Sequence, residues 1–175
     1  IYGCLVGSEM CIRDSHRGPE FSDLANDCLE GIKTIFKTKS NVIIYPASGT
    51  GAWEAALVNT IRENELVLMV ETGHFASLWN KMALRLGIKT EFLETDWRRG
   101  VVPEKLFDRL QKDTKNQIKA VCVVHNETST GCASRIEEVR KALNSANHEA
   151  LLMVDSISGL ASMEYKHDEL SLIHI

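Results

Sequence analysis

The turn Ser48-Gly49-Thr50-Gly51 combines hydroxyls with glycines, and such a turn can fold its backbone N–H groups around an anion. If a helix follows it, the open N–H groups and the positive end of the helix dipole converge on the same point. The turn has no Gly-Lys-Ser/Thr and lacks the full dinucleotide glycine pattern, so a single phosphate group suits it better than a nucleotide. Taken alone, a turn of this kind is as often only a tight connection. Asp155 closes the apolar run Leu151-Leu152-Met153-Val154, where a carboxylate can cap a turn or hold a cationic ring nitrogen. Trp79 offers a flat π surface to a ring, against the commoner use of an indole as packing. The stretch His125-Asn126-Glu127-Thr128-Ser129-Thr130-Gly131 offers uncharged donors to a ligand, and an ordinary polar turn explains it equally well. His74 and His125 lack helical or hairpin ligand spacing, so zinc is discounted.

These residues fall between periodic segments that must position them. Phe21, Leu24, Ala25, Cys28, Leu29, Ile32 and Ile35-Phe36 recur at three- and four-residue spacing and predict an amphipathic helix. Asn41–Tyr45 is a β-rich run stopped by Pro46 and reads as a strand. Ala52–Ile61 forms a helix, with Trp53 read as packing, and Leu66–Val70 a buried strand. A helix over Phe75–Leu86 should place Leu78, Met82 and Leu86 on one side. Ile88–Leu93 is a strand, and Pro103–Leu110 opens a helix with proline in its first turn. Ile118–Val124, Ile136–Leu143 and Ala150–Val154 then read as strand, helix and strand. Strands alternating with helices predict an α/β fold, a mostly parallel sheet between helices. Ligands in such folds lie beyond the carboxyl ends of the strands, where the polar stretches Ser48-Gly49-Thr50, Thr72-Gly73-His74, His125-Asn126-Glu127-Thr128 and Asp155-Ser156 occur.

The charge of −4 leaves no basic footprint for nucleic acid and no polybasic membrane patch. No apolar run has the length of a membrane span, so neither nucleic acid nor membrane is expected as a partner. The five cysteines are odd in number and lack ligand spacing, which predicts reduced thiols in a cytoplasmic protein. Both ends read as foreign. One short DNA duplex can encode Leu170–Ile175 on one strand and Met10–Asp14 on the other, and it resembles the transposon end used in sequencing libraries. Residues 1–15 and 170–175 are therefore expected to be adapter-derived, with 16–169 the biological segment.

Several stretches together resemble the class V pyridoxal-phosphate (PLP) aminotransferases, which include serine–glyoxylate and alanine–glyoxylate aminotransferases. They are Tyr45 through Asn59, Glu71-Thr72-Gly73-His74-Phe75-Ala76 through Trp79, and Asp96-Trp97-Arg98-Arg99-Gly100. His125 through Gly131, Val154-Asp155-Ser156-Ile157-Ser158 and the early His16-Arg17-Gly18-Pro19-Glu20-Phe21 complete the set. The resemblance spans nearly all of 16–169 and implies part of the large domain of a fold-type I PLP-dependent transferase. It implies that Ser48, Gly49 and Thr50 bind the cofactor phosphate, Trp79 stacks on the ring and Asp155 holds its nitrogen. It places Thr128 near the phenolic oxygen and Ile157 on the ring's other face. It further implies a homodimer that moves an amino group from serine, or alanine, to glyoxylate.

One departure bears on activity. The family's Schiff-base lysine lies beyond the aspartate in a Gly-Ser-Gln-Lys-like stretch, and only Ser156–Glu169 follow Asp155 before the adapter-like tail. Lys166 stands too early and in a different context, so no catalytic residue is assigned and this chain is expected not to transaminate. The incomplete sheet also predicts poor solubility. Two rivals share parts of the pattern. A class V lyase or cysteine desulfurase would keep the cofactor cradle, although the desulfurase branch stacks a histidine where Trp79 stands. A nucleotide-binding α/β module would need a tighter glycine pattern, with Glu71 near the place of its ribose partner.

Overall fold

The computed structural model describes residues 18–170 and 173–174. His16, Arg17 and the expected adapter-derived residues 1–15 lie outside them.

The first element, α1 (Pro19–Phe36), begins with proline in its first turn and ends at Lys37 in the left-handed conformation. Its apolar spacing is as expected, yet none of its residues is buried, and Phe21, Leu24 and Ile35 are exposed. Periodicity fixed the helix and its stripe; it could not supply a neighbour to cover the stripe. Asn41–Tyr45, expected as a strand, is not one. Ile43 and Ile44 are 70% and 62% exposed, since β-branched residues favour a strand only where another strand is there to pair with.

The remaining order is α2 (Gly49–Thr60), β1 (Leu66–Glu71), α3 (His74–Arg85), β2 (Lys89–Glu94), α4 (Pro103–Lys112) and β3 (Ile118–Val124). Then come β4 (Asn126–Glu127), β5 (Cys132–Ala133), α5 (Ile136–Ser145), β6 (Leu151–Asp155), α6 (His167–Leu170) and β7 (Ile173–His174). The main sheet runs β2-β1-β3-β6-β7 with every pairing parallel, while β4 and β5 form a small antiparallel hairpin.

Alternation along the strands feeds two cores. Val67 and Met69 of β1, Ala120 and Cys122 of β3, and Met153 of β6 pack with Trp53, Leu57, Trp79 and Ala83 from α2 and α3. Leu68 and Val70, Val121 and Val123, and Leu152 and Val154 pack on the other face with Leu106, Leu110, Ile136 and Leu143 from α4 and α5. Strands apolar on both sides are what a parallel sheet between helices requires. The buried face of α3 carries Ala76, Trp79, Asn80 and Ala83, with Met82 and Leu86 packed against the same core and Leu78 36% exposed. Edge strand β2 carries Lys89, Glu91 and Glu94, charges that discourage pairing with another chain. Arg109 of α4 forks onto Glu91, with Nη2 donating to Oε2 at 2.7 Å.

At the amino ends of β3 and β6, the loops are clasped by a buried pair. The Ala150 N–H donates to His148 Nδ1 at 3.1 Å, leaving Nε2 to carry the proton toward Asp113 Oδ2 at 3.2 Å. The Ile118 N–H donates to the same Asp113 oxygen at 2.7 Å. Burial pushes the Asp113 carboxyl up, but hydrogen bonds from the Ile118 and Gln117 backbone and from His148 outweigh it and hold it below the usual range. A lowered carboxyl stabilises the fold above its unfolded value of about 3.9, and that contribution is lost as pH falls through the lower folded value. Asp113→Asn should therefore cost about 1–3 kcal/mol in urea unfolding at pH 7, with the gap to the parent narrowing below about pH 4. A gap that does not change with pH would contradict this assignment.

Candidate active site

The chain adds β2 on one side of β1 and then returns to add β3 on the other. Such a reversal marks the carboxyl ends of β1 and β3 as the place where open α/β sheets receive ligands. Four connections meet there.

The first leads into α2. Ser48 is its N-cap in extended conformation, its hydroxyl caps nothing, and the first turn has no acidic residue. The Gly51 N–H is taken by the Ser48 carbonyl at 2.9 Å. Ser48 and Thr50 are exposed and Gly49 is half-buried. A Cβ at Gly49 would lie 2.8 Å from Ile157 Cδ1, and one at Gly51 2.5 Å from Ala47 Cβ, so side chains are excluded by close approach. An uncapped helix start with two hydroxyls and no competing carboxylate is a receptive site for an anion.

The start of α3 is filled from within the protein. Ser129 Oγ accepts from the His74 N–H at 3.0 Å, and Glu127 accepts from Phe75 and Ala76 N–H at 3.2 and 3.3 Å. Glu127 also accepts from the Ser129 hydroxyl at 2.6 Å and the Ser129 N–H at 3.3 Å. The carboxylate is fully buried, and its negative charge lies against the positive helix end. The fit demands a glycine before the helix: a Cβ at Gly73 would come within 2.5 Å of Glu127 Cγ. Thus the β4–β5 hairpin fixes α3, and α3 carries Trp79.

Asp155 lies at the carboxyl end of β6, 2% exposed. Its Oδ1 accepts from the Ile157 N–H at 2.9 Å and its Oδ2 from Trp53 Nε1–H at 3.0 Å. Burial pushes its carboxyl above the usual range; those two donors pull it down, and the nearby Glu127 charge adds to the rise. Trp53 stacks on Trp79 with ring centroids 5.5 Å apart and planes 10° from parallel. The buried Trp79 Nε1 and Thr72 Oγ1 have no hydrogen-bond partner among the described residues. The loops after β3 and β6 are tied by Ser158 Oγ, which donates to the Asn126 carbonyl at 2.6 Å, and by the Asn126 amide, which donates back at 3.1 Å. His125 is buried, burial pushes its imidazole down, and its backbone N–H donates to the Asp155 backbone carbonyl at 2.7 Å.

Ser48, Gly49, Thr50 and Ile157 are thus neighbours, and Trp79 is joined to Asp155 through Trp53. Ile157 is 64% exposed and leans on Gly49. Thr128 stands apart, exposed in the β4–β5 turn. Trp53 packs in the core as its sequence position predicts, and its indole N–H also reaches Asp155. Glu127 is the contributor that sequence does not reveal; its signal is an α3 start with glycine where a capping side chain is usual. Among the described residues, no cluster of three or more ligating side chains could hold a metal, and Lys166 pairs with Glu169. No helix among them is long and apolar enough to cross a membrane.

The donor set suits one kind of ligand. A buried carboxylate facing a ring N–H, beside an aromatic face and near an open helix start, fits a flat nitrogen heterocycle with a phosphate arm.

The family described as Aminotransferase class-V matches residues 8–172. Serine–glyoxylate aminotransferases of Hyphomicrobium methylovorum and Methylorubrum extorquens are 47% and 44% identical to this chain, over 87% and 89% of it. The chain spans 38% and 39% of those two relatives. Among solved structures, the ureidoglycine–glyoxylate aminotransferase of Bacillus subtilis superposes with a TM-score of 0.79 at 28% identity, covering 88% of this chain and 39% of that one.

Proposed function

The chain belongs to the class V aminotransferase family, and from that premise we propose that it is part of the large domain of a pyridoxal-phosphate transaminase moving an amino group from serine, or alanine, to glyoxylate. In entire form the enzyme is proposed to be a cytoplasmic homodimer. The observation that carries the reading is the Asp155–Trp53–Trp79 arrangement beside the open start of α2. The substrate pair rests on the similarity to glyoxylate aminotransferases.

In this assignment Ser48, Gly49 and Thr50 bind the phosphate, whose charge the α2 dipole favours. Trp79 presents its face to the ring, held in place because Glu127 and Ser129 fix the start of α3. Asp155 accepts from the protonated ring nitrogen, and Ile157 closes the slot beside Gly49. Thr128, apart from these in the exposed β4–β5 turn, would meet the phenolic oxygen when the cofactor is bound. When bound, pyridoxal phosphate supplies an electron sink for the carbanion formed at the amino acid's α-carbon.

The test compares this chain with a version extended downstream through the lysine-bearing segment. The present chain should bind the cofactor, with Ser48→Ala/Thr50→Ala weakening it about 10- to 100-fold, as loss of two solvent-exposed hydrogen bonds worth about 1 kcal/mol each predicts. Only the extended chain should convert serine and glyoxylate to hydroxypyruvate and glycine. Transamination by the present chain, or an extended chain that binds the cofactor and leaves glyoxylate untouched, would refute the respective part.

A further inference from the structure

We infer that His125 is a positioning residue: its uncharged ring is the seat on which the loop after β6 rests, and that loop sets the Asp155 carboxylate. This role deepens the cofactor reading given above and rests on it. The His125 ring lies 5.8 Å from that of Tyr165, which belongs to the core shared with Val121, Val123, α4 and α5. Its backbone is held from both sides. The N–H donates to the Asp155 backbone carbonyl, and the carbonyl accepts from the Ser134 N–H, each at 2.7 Å. His125 is 4% exposed, and its Nδ1 is buried with no hydrogen-bond partner among the described residues. The Gly159 backbone lies close over that nitrogen: a Cβ there would stand 3.3 Å from Nδ1 and 3.5 Å from Asn126 Cβ.

The loop is tied down around this contact. The Gly159 and Leu160 N–H groups both donate to the Ser156 carbonyl at 2.8 Å, and Ser158 and Asn126 exchange their two bonds beside it. Ile157, in the same turn, supplies one of the two donors that fix the Asp155 carboxylate. A charged imidazole carries a proton on both nitrogens. The one on Nδ1 would face Gly159 as a buried donor without an acceptor, on a ring that is itself a buried charge. Burial accordingly pushes the imidazole down, against the pull of Glu137 on α5. Tyr165 also faces the ring, and Arg140 of α5 and His167 of α6 lie near Tyr165. The carboxylates of Asp155 on β6 and Glu127 on β4 are engaged with Trp53 and the start of α3 instead. His125 therefore gains a proton only when the loop rises to admit water, and Ile157 then leaves Asp155. The seated ring's value is lower than the ordinary histidine value of about 6.5, so the hold is complete above that pH and is lost as pH falls below it.

The experiment measures the binding of pyridoxamine 5′-phosphate and, separately, of inorganic phosphate to the 175-residue chain between about pH 8 and about pH 5.5, a range that spans the ordinary histidine value. His125→Phe keeps a ring beside Tyr165 and does not titrate. Over this range the ratio of the two affinities should fall about tenfold further in the parent than in the variant, the worth of one hydrogen bond to a charged group. The ratio removes the ionisation of the phosphate, and the variant removes that of the pyridine ring and of Asp155. Amide hydrogen exchange on the ligand-free parent reads the loop directly. Protection at Ile157 and Gly159, corrected for the intrinsic rate, should fall with pH while that at Val121 and Val123 holds. Equal pH responses in parent and variant, or unchanged protection at Ile157 and Gly159, would overturn the positioning role and leave the cofactor reading intact. Absence of pyridoxamine 5′-phosphate binding at every pH would remove the cofactor reading and the role of His125 in it. Exchange is read on the parent chain, so poor folding of His125→Phe does not remove the test.

Discussion

Asp155→Ala should weaken pyridoxamine 5′-phosphate binding by roughly 100- to 1,000-fold, as expected when one partner of a buried charge pair is removed. The carboxylate is 2% exposed, and the ring's positive nitrogen would lose its only assigned acceptor in a place water does not reach. The Ile157 N–H and the Trp53 indole N–H would lose theirs as well. Binding is measured by titration of the protein's fluorescence, with inorganic phosphate as the control. Phosphate affinity should be unchanged, because the site proposed for it at the start of α2 makes no use of Asp155. Equal losses for both ligands would show that Asp155 supports the fold of the site and does not hold the ring.

The second large effect is on stability. Glu127→Ala should cost about 3–5 kcal/mol in urea unfolding, the range for removing a buried charge from a satisfied network. Four donors, the N–H groups of Phe75, Ala76 and Ser129 and the Ser129 hydroxyl, would be left facing a cavity. Glu127→Gln keeps one acceptor oxygen and should fall between the two. Ser129→Ala, which strips the His74 N–H of its acceptor, should cost nearer 1 kcal/mol. If Glu127→Ala unfolds at the parent's urea concentration, α3 is held by its packing alone and the capping role is wrong.

Strands β1, β3 and β6 were legible because each is a short apolar run ended by a polar group. Parallel strands buried on both faces leave no alternation to interpret. The Ser48–Gly51 turn was legible as a helix entry for a similar reason, since glycines and hydroxyls ahead of an apolar helical run suit the start of α2. What sequence could not convey was which distant groups those elements meet. Trp53 and Asp155 are 102 residues apart, and helical periodicity assigns Trp53 to a face without naming the carboxylate that the face reaches. Glu127 serves N–H groups about fifty positions earlier in the chain, a relation set by the β1–β3 pairing. Asn41–Tyr45 shows the opposite error. Its composition favours a strand strongly, but the described chain places no partner beside it.

The His148–Asp113 clasp lies at the amino ends of β3 and β6, opposite the candidate site. One end of the sheet is thus committed to holding still, and the other is composed of turns that meet ligands. For laboratory evolution this separates two kinds of library. Randomising the turns after β1, β3 and β6 explores new chemistry at the expense of rigidity, while reinforcing the 113–117 and 144–149 loops raises the stability reserve from which such variants can draw.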